Sequence, residues 1–143
     1  HLFGWPFDTT QAVWRLIFGG VIDKYPSLKI VTHHLGAMIP YFARRIETNF
    51  DGFLKDKLPK HISKYWGNIY GDTALDGTVA AYPCGYAFFG PDRMTFGTDY
   101  PFGPEAGEDF IRENLRGVKA MSISDGGMEK ILSGNAKKLL KIK

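Results

Sequence analysis

The aspartate Asp99 and the histidine His34, second of the pair His33-His34, are by type and context the residues of this chain best suited to chemistry. Each follows a short apolar run. Leu28-Lys29-Ile30-Val31-Thr32 leads into His33-His34-Leu35-Gly36, and Met94-Thr95-Phe96 leads into Gly97-Thr98-Asp99-Tyr100-Pro101-Phe102. A β-type run that ends on a polar residue and then breaks at glycine or proline holds that residue at the exit of a buried strand. In parallel α/β folds the strand C-termini converge on one face, and ligands bind there. An imidazole pair at one strand end and a carboxylate at another are parts of a hydrolytic metal centre. A carboxylate so placed can ligate Zn²⁺ while its second oxygen accepts a proton from bound water or passes one to substrate. The competing reading of Asp99 is a cap on the following turn, and that of His34 is a satisfied core histidine. His33, one residue earlier, is expected on the opposite side of the strand, packed under a helix layer.

The elements that must position these residues alternate along the chain. The spacing of Ala12, Val13, Leu16, Ile17, Gly20 and Val21 predicts a helix from Asp8 to Tyr25, stopped by Pro26. Strands are expected near Lys29–Thr32, Asn68–Thr73 and Arg93–Phe96, adjacent in that order. Helices are expected from Met38 to about Asn49, from Asp76 to Phe89 with a kink at Pro83 and Gly85, and from Glu105 to Met121. The last of these should bury Ala106, Phe110, Ile111, Leu115 and Val118. Ser124 or Asp125 should cap a helix that Gly126-Gly127 weakens by up to ~1 kcal/mol each. A short helix from Asn135 closes the chain. Strands alternating with helices predict a parallel sheet with right-handed crossovers, an α/β fold.

Ordered along almost the whole chain are Gly4-Trp5-Pro6-Phe7, Asp23-Lys24-Tyr25-Pro26, His34-Leu35-Gly36-Ala37-Met38-Ile39-Pro40, Tyr70-Gly71-Asp72-Thr73, Gly97-Thr98-Asp99-Tyr100-Pro101-Phe102 and Gly134-Asn135-Ala136. This series resembles the C-terminal part of the metal-dependent amidohydrolase superfamily, in the branch with aminocarboxymuconate-semialdehyde decarboxylase and γ-resorcylate decarboxylase. The resemblance implies the C-terminal half of a (β/α)8 TIM barrel. Residues 1–143 would form a single partial-barrel domain, from about the end of strand five through strand eight and the C-terminal helices. It implies a metal-dependent decarboxylase or hydrolase acting on a small carboxylic acid, with a divalent metal, zinc, as cofactor. Asp99 would be metal ligand and proton carrier, and His34 the strand-six histidine that polarises substrate or water. His1 is either the strand-five metal ligand or a tag-derived residue. Arg45, eleven residues after His34, is either a substrate-carboxylate ligand reaching across a dimer interface or a surface ion-pair partner. Trp5 is either a wall of the substrate pocket or packing, and Asp72 and Thr73 either line the mouth or make a turn. The family's first-strand His-x-His pair has no counterpart here.

Length and composition bound these readings. A complete (β/α)8 barrel takes about 250 residues, and this chain has 143. The metal site would then be incomplete, and the alternative is a non-catalytic half-barrel that only self-associates or complements a missing N-terminal half. A half-barrel exposes two sheet edges, and Ile30, Thr32, Ile69, Gly71 and Met94 or Phe96 are expected on its uncovered inner face, so a homo-oligomer is expected. A net charge of +3 with scattered basic residues points away from nucleic acid. The cluster Lys137, Lys138, Lys141 and Lys143 reads as a solvated helix end. No apolar run reaches membrane-spanning length, and one cysteine, Cys84, permits no internal disulfide, so a cytoplasmic location is expected.

Overall fold

A computed structural model of the chain describes residues 1–142; Lys143 of the basic cluster lies outside the described residues. Three parallel strands form one sheet in the order β1 (Ile30–Thr32), β2 (Ile69–Asp72), β3 (Met94–Thr95). Ile30 pairs with Ile69, Thr32 with Gly71, and Gly71 with Met94. The strands therefore lie where the apolar runs put them, in the expected order.

The phase of the sheet is the reverse of the expectation. Ile69 and Met94 are fully buried in the core under helices α3 (Ile39–Asn49) and α4 (Ala81–Phe89). Gly71 lies so close to this layer that a Cβ would meet the Phe89 ring at 2.8 Å and Leu35 at 3.1 Å. The open face carries Val31, 49% exposed, and Tyr70. Strands of a parallel sheet are apolar on both faces, so alternation alone does not say which set of residues meets the helices.

Helices break where glycine allows it rather than where the apolar pattern ends. α1 (Gly4–Phe18) buries Val13 and Ile17 and stops at Gly19. Gly20 takes φ +72°, a left-handed conformation that suits glycine, and α2 (Val21–Lys24) follows as a separate turn. The apolar pattern runs through this break, and for that reason it predicts one helix to Tyr25. α4 begins only at Ala81, after turns at residues 76–80. Pro83 thereby falls in the first helical turn, where its missing N–H leaves no hydrogen bond unmade, and no kink is needed.

α5 (Glu108–Lys119) buries Val118 as expected but is rotated away from the rest of the face that the apolar pattern marks. Asn114, Gly117 and Val118 are buried, while Ile111 is exposed. Gly117 lies against the Tyr82 ring, which a Cβ would approach to 2.3 Å. Asn114 Oδ1 accepts from Leu75 N at 2.8 Å and from the Tyr82 hydroxyl at 2.8 Å, and its Nδ2 donates to Phe110 O at 2.7 Å. Burial pushes the Tyr82 phenol up to about 12, so it remains a donor at neutral pH. This satisfied polar cluster, not an aliphatic stripe, fixes the helix rotation.

The C-terminal segment closes one sheet edge. Ser124 caps α6 (Asp125–Glu129), accepting from Gly127 N at 3.2 Å. A wide turn over Lys130–Gly134 leads into α7 (Asn135–Leu140). On the outer edge of β3, Asn135 Nδ2 donates to Met94 O at 2.7 Å and to Pro91 O at 2.6 Å, and Phe96 N donates to Ile131 O at 2.8 Å. Neither β1 nor β3 has an outer pairing strand among the described residues, and it is the β3 edge that is capped in this way.

Candidate metal centre and substrate cleft

Beyond Thr32 the chain leaves the strand abruptly. His33 is still extended (φ −71°, ψ 162°), and His34, Leu35, Gly36 and Ala37 then all take positive φ. Left-handed conformations cost a non-glycine residue of order 1 kcal/mol each and persist only where packing enforces them. Here Leu35 enforces it, wedged against Gly85 of α4, where a Cβ would sit 2.1 Å from its Cδ2. At the end of β3, Asp99 is also left-handed, with φ +65°. Positive-φ backbone thus occurs at both strand ends that carry the histidines and the aspartate, as it does at Asp76, Glu105 and Ala106.

His33 continues the alternation of Val31 onto the open face, so it points into the mouth and not beneath the helices. Its Nδ1 lies 2.6 Å from Asp72 Oδ2 and its Nε2 lies 3.4 Å from Asp99 Oδ1. Hydrogen bonding to Asp72 is the first cause that raises the His33 pKa above the ordinary histidine value. Asp72 is itself fixed, since its Oδ1 accepts from Ala74 N at 3.1 Å. Thr73 ties the ends of β2 and β3 together: its hydroxyl donates to Gly97 O at 3.0 Å and accepts from Gly97 N at 3.1 Å. The hydrogen-bonded β2 end therefore sets where the histidine and the aspartate stand.

His34 stacks beside His33 with ring centroids 3.9 Å apart. Burial, then the neighbouring His33, lowers its pKa, so the ring is neutral near pH 7. Its Nδ1 is buried and has no hydrogen-bond partner. His33, His34 and Asp99 each offer one ligand atom, all within 4.8 Å of one another. Two imidazole nitrogens and a carboxylate oxygen are donors suited to zinc or manganese. The orphaned Nδ1 is a second sign of fit, because a buried polar atom without a partner costs about 1–3 kcal/mol.

Above this group lies a cleft of about 650 Å³. His34 and Asp99 face it, with Trp5, His1, Phe102 and Phe110 among its walls. His1 stacks on Trp5 with centroids 5.6 Å apart and stands outside the three-residue donor group. Arg45 lies elsewhere, in a groove of about 380 Å³ between α1 and α3 with Phe7, Trp14 and Phe42. The direction of His33 was hidden by the inverted strand phase, whereas Asp72 stands at the mouth, one of the two places expected for it. The available signal was the pairing of two polar strand ends, His33 and Asp72, across a register that juxtaposes Thr32 and Gly71.

The sequence profile of the family described as amidohydrolase matches residues 1–142. A 2-amino-3-carboxymuconate-6-semialdehyde decarboxylase from Dictyostelium discoideum is 30% identical over 148 residues, covering 97% of this chain and 38% of the relative. A gamma-resorcylate decarboxylase from Polaromonas sp. is 32% identical, covering 96% of this chain and 42% of its own length. A solved dihydroxybenzoic acid decarboxylase from Polaromonas sp., with bound manganese and the inhibitor 2-nitroresorcinol, superposes with a TM-score of 0.80 at 30% identity, covering 96% of this chain and 41% of that one. The chain spans about 40% of the length of the relatives it matches. Its fold is the C-terminal half of a (β/α)8 barrel.

Proposed function

The chain belongs to the amidohydrolase family, and we propose that it carries the strand-end rim of a metal-dependent decarboxylase acting on a small aromatic carboxylic acid. The names of the relatives support decarboxylation over hydrolysis, and the manganese in the solved relative supports a divalent cation. For this chain the donor set suits manganese as well as zinc. The observation that carries the reading is the 2.6 Å contact from Asp72 to His33. A ligating histidine commonly donates its other ring N–H to a carboxylate, which fixes the tautomer. With Nδ1–H given to Asp72, His33 would turn its Nε2 to a cation held beside Asp99, giving up the Nε2 proton that the two carboxylates favour in its absence, and His34 and Asp99 would complete the donor group.

A bound divalent cation would supply Lewis-acid polarisation of substrate oxygens. The remaining work falls to the chain's own residues. Loss of CO₂ breaks the bond from ring carbon to carboxylate and leaves an electron pair on that carbon, which then takes a proton. Asp99 is the proton carrier in this reading: its second carboxylate oxygen, facing the cleft, takes a proton from solvent and delivers it to the ring carbon. Trp5 and Phe102 wall the cleft and offer aromatic faces to the ring. Arg45 faces away from this cleft and would meet a substrate carboxylate only in the cleft of a second copy.

The test is calorimetric titration with 2,6-dihydroxybenzoate, with and without Mn²⁺. Binding is expected only with the cation present and is expected to be lost in Asp99→Ala and His34→Ala. Cation-independent binding, or none in either condition, refutes the proposal.

A further inference from the structure

Across His34 from the cleft lies a second space of about 300 Å³, between α3 and α4 and open to solvent past Tyr41, which is 77% exposed. The two share His34, Ala37, Leu75 and Thr78 as lining. Their chemistry differs. The cleft has Asp76 and Asp99 in its walls; the rear chamber has no Asp, Glu, Lys or Arg. Its far walls are Pro40 and Tyr41 from α3 and Ala80, Ala81, Cys84 and Gly85 at the start and middle of α4. The residues of α4 that face it are small, which is what leaves the space open. The left-handed run His34–Ala37 folds the chain against Gly85 and thereby makes the His34 ring a partition with the charged cleft on one side and the apolar chamber on the other.

We infer that the chamber between α3 and α4 is a second subsite of the cleft, taking an uncharged alkyl substituent of a ligand whose carboxylate-bearing ring lies at the His33–His34–Asp99 group. The inference rests on the proposed function and narrows its substrate class to alkyl-substituted aromatic acids. An apolar space continuous with a polar site favours a ligand with the same two-part character, since an alkyl group is drawn out of water there while a charged one would be stranded.

Cys84 is the chain's only cysteine, so a thiol reagent marks this chamber alone. The experiment compares 2-hydroxybenzoate with its four monoethyl isomers by calorimetry in the presence of Mn²⁺. It also measures how fast Cys84 reacts with methyl methanethiolsulfonate, which transfers a methylthio group to the thiolate and releases methanesulfinate. At least one ethyl isomer is expected to bind about tenfold tighter than the parent acid, the effect of burying two further carbons. The same isomer should slow the Cys84 reaction at least severalfold. Protein already carrying the methylthio group on Cys84 should show an ethyl preference near onefold, and this needs no refolding of a variant. If all isomers bind like the parent acid, or one binds tighter without protecting Cys84, the chamber is not the subsite. If 2,6-dihydroxybenzoate does not bind either, the proposed function fails first and this inference fails with it; if 2,6-dihydroxybenzoate binds while 2-hydroxybenzoate and all its ethyl isomers do not, the inference alone fails.

Discussion

A single contact at the residue scale separates a structural histidine from a metal ligand. Asp72 has no place in the donor group and acts through His33, so its effect is on orientation and basicity. Asp72→Asn is expected to weaken Mn²⁺ affinity by about 10–100-fold while the thermal midpoint moves little, and calorimetric titration beside thermal unfolding checks this. Metal affinity unchanged by the substitution would leave His33 as packing. A second polar group, far from the cleft, sets a pH dependence. Lys60 Nζ lies 2.9 Å from Asp23, and the buried Tyr65 hydroxyl donates to Asp23 at 2.7 Å. The hydrogen bonds from Lys60, then Tyr65, hold the Asp23 carboxyl below the usual carboxylate range. A depressed folded-state pKa contributes stability that is present above the unfolded value, about 3.9, and is lost as pH falls through the folded value. Asp23→Asn should therefore cost about 1 kcal/mol at pH 7 and progressively less toward the acid limit, as urea unfolding at pH 7, 4 and 2.5 would show. His34 and Asp99 were legible in sequence because each follows an apolar run at a strand exit. His33 was not, because its direction depends on which strand face meets the helices.

Elements carry the same lesson with a different cause. Strand positions and order could be read from apolar runs alone, since a short run between turn signals has few other readings. Helix limits could not be read this way at Gly20 or Gly107, where left-handed glycines end or start helices inside a continuing pattern. Nor could the rotation of α5, which follows from Asn114 and Gly117, residues that a hydrophobicity pattern assigns to the surface. Close approach of elements is the testable feature. Gly85→Ala places a methyl 2.1 Å from Leu35 Cδ2, so the left-handed loop beneath His34 must shift. The expected cost is about 1–3 kcal/mol, measurable by denaturant unfolding, with weaker cation binding in the same variant. Loss of stability with cation affinity intact would mean that Leu35 packs without positioning His34.

For the whole molecule, the open sheet face is the main consequence of a three-stranded parallel array. Val31 and Tyr70 lie on it, and Leu2 and Trp5 are exposed at the cleft. Contiguous apolar surface of this kind favours association. Sedimentation equilibrium at micromolar concentration is expected to give a dimer or larger species, and a monodisperse 16.1 kDa monomer would contradict it. The bridging of Met94 and Pro91 by the Asn135 side chain decides how far such association can go. Growth of a fibril by strand addition needs two sticky ends per subunit, one to receive and one to offer. This chain has one end sealed by its own amide, so two copies meeting through β1 exhaust the supply and the assembly terminates. Asn135 is in this sense a chain stopper. Asn135→Ala, which leaves two carbonyls without their donor, should turn a closed dimer into a concentration-dependent series of higher species, with light scattering rising on standing.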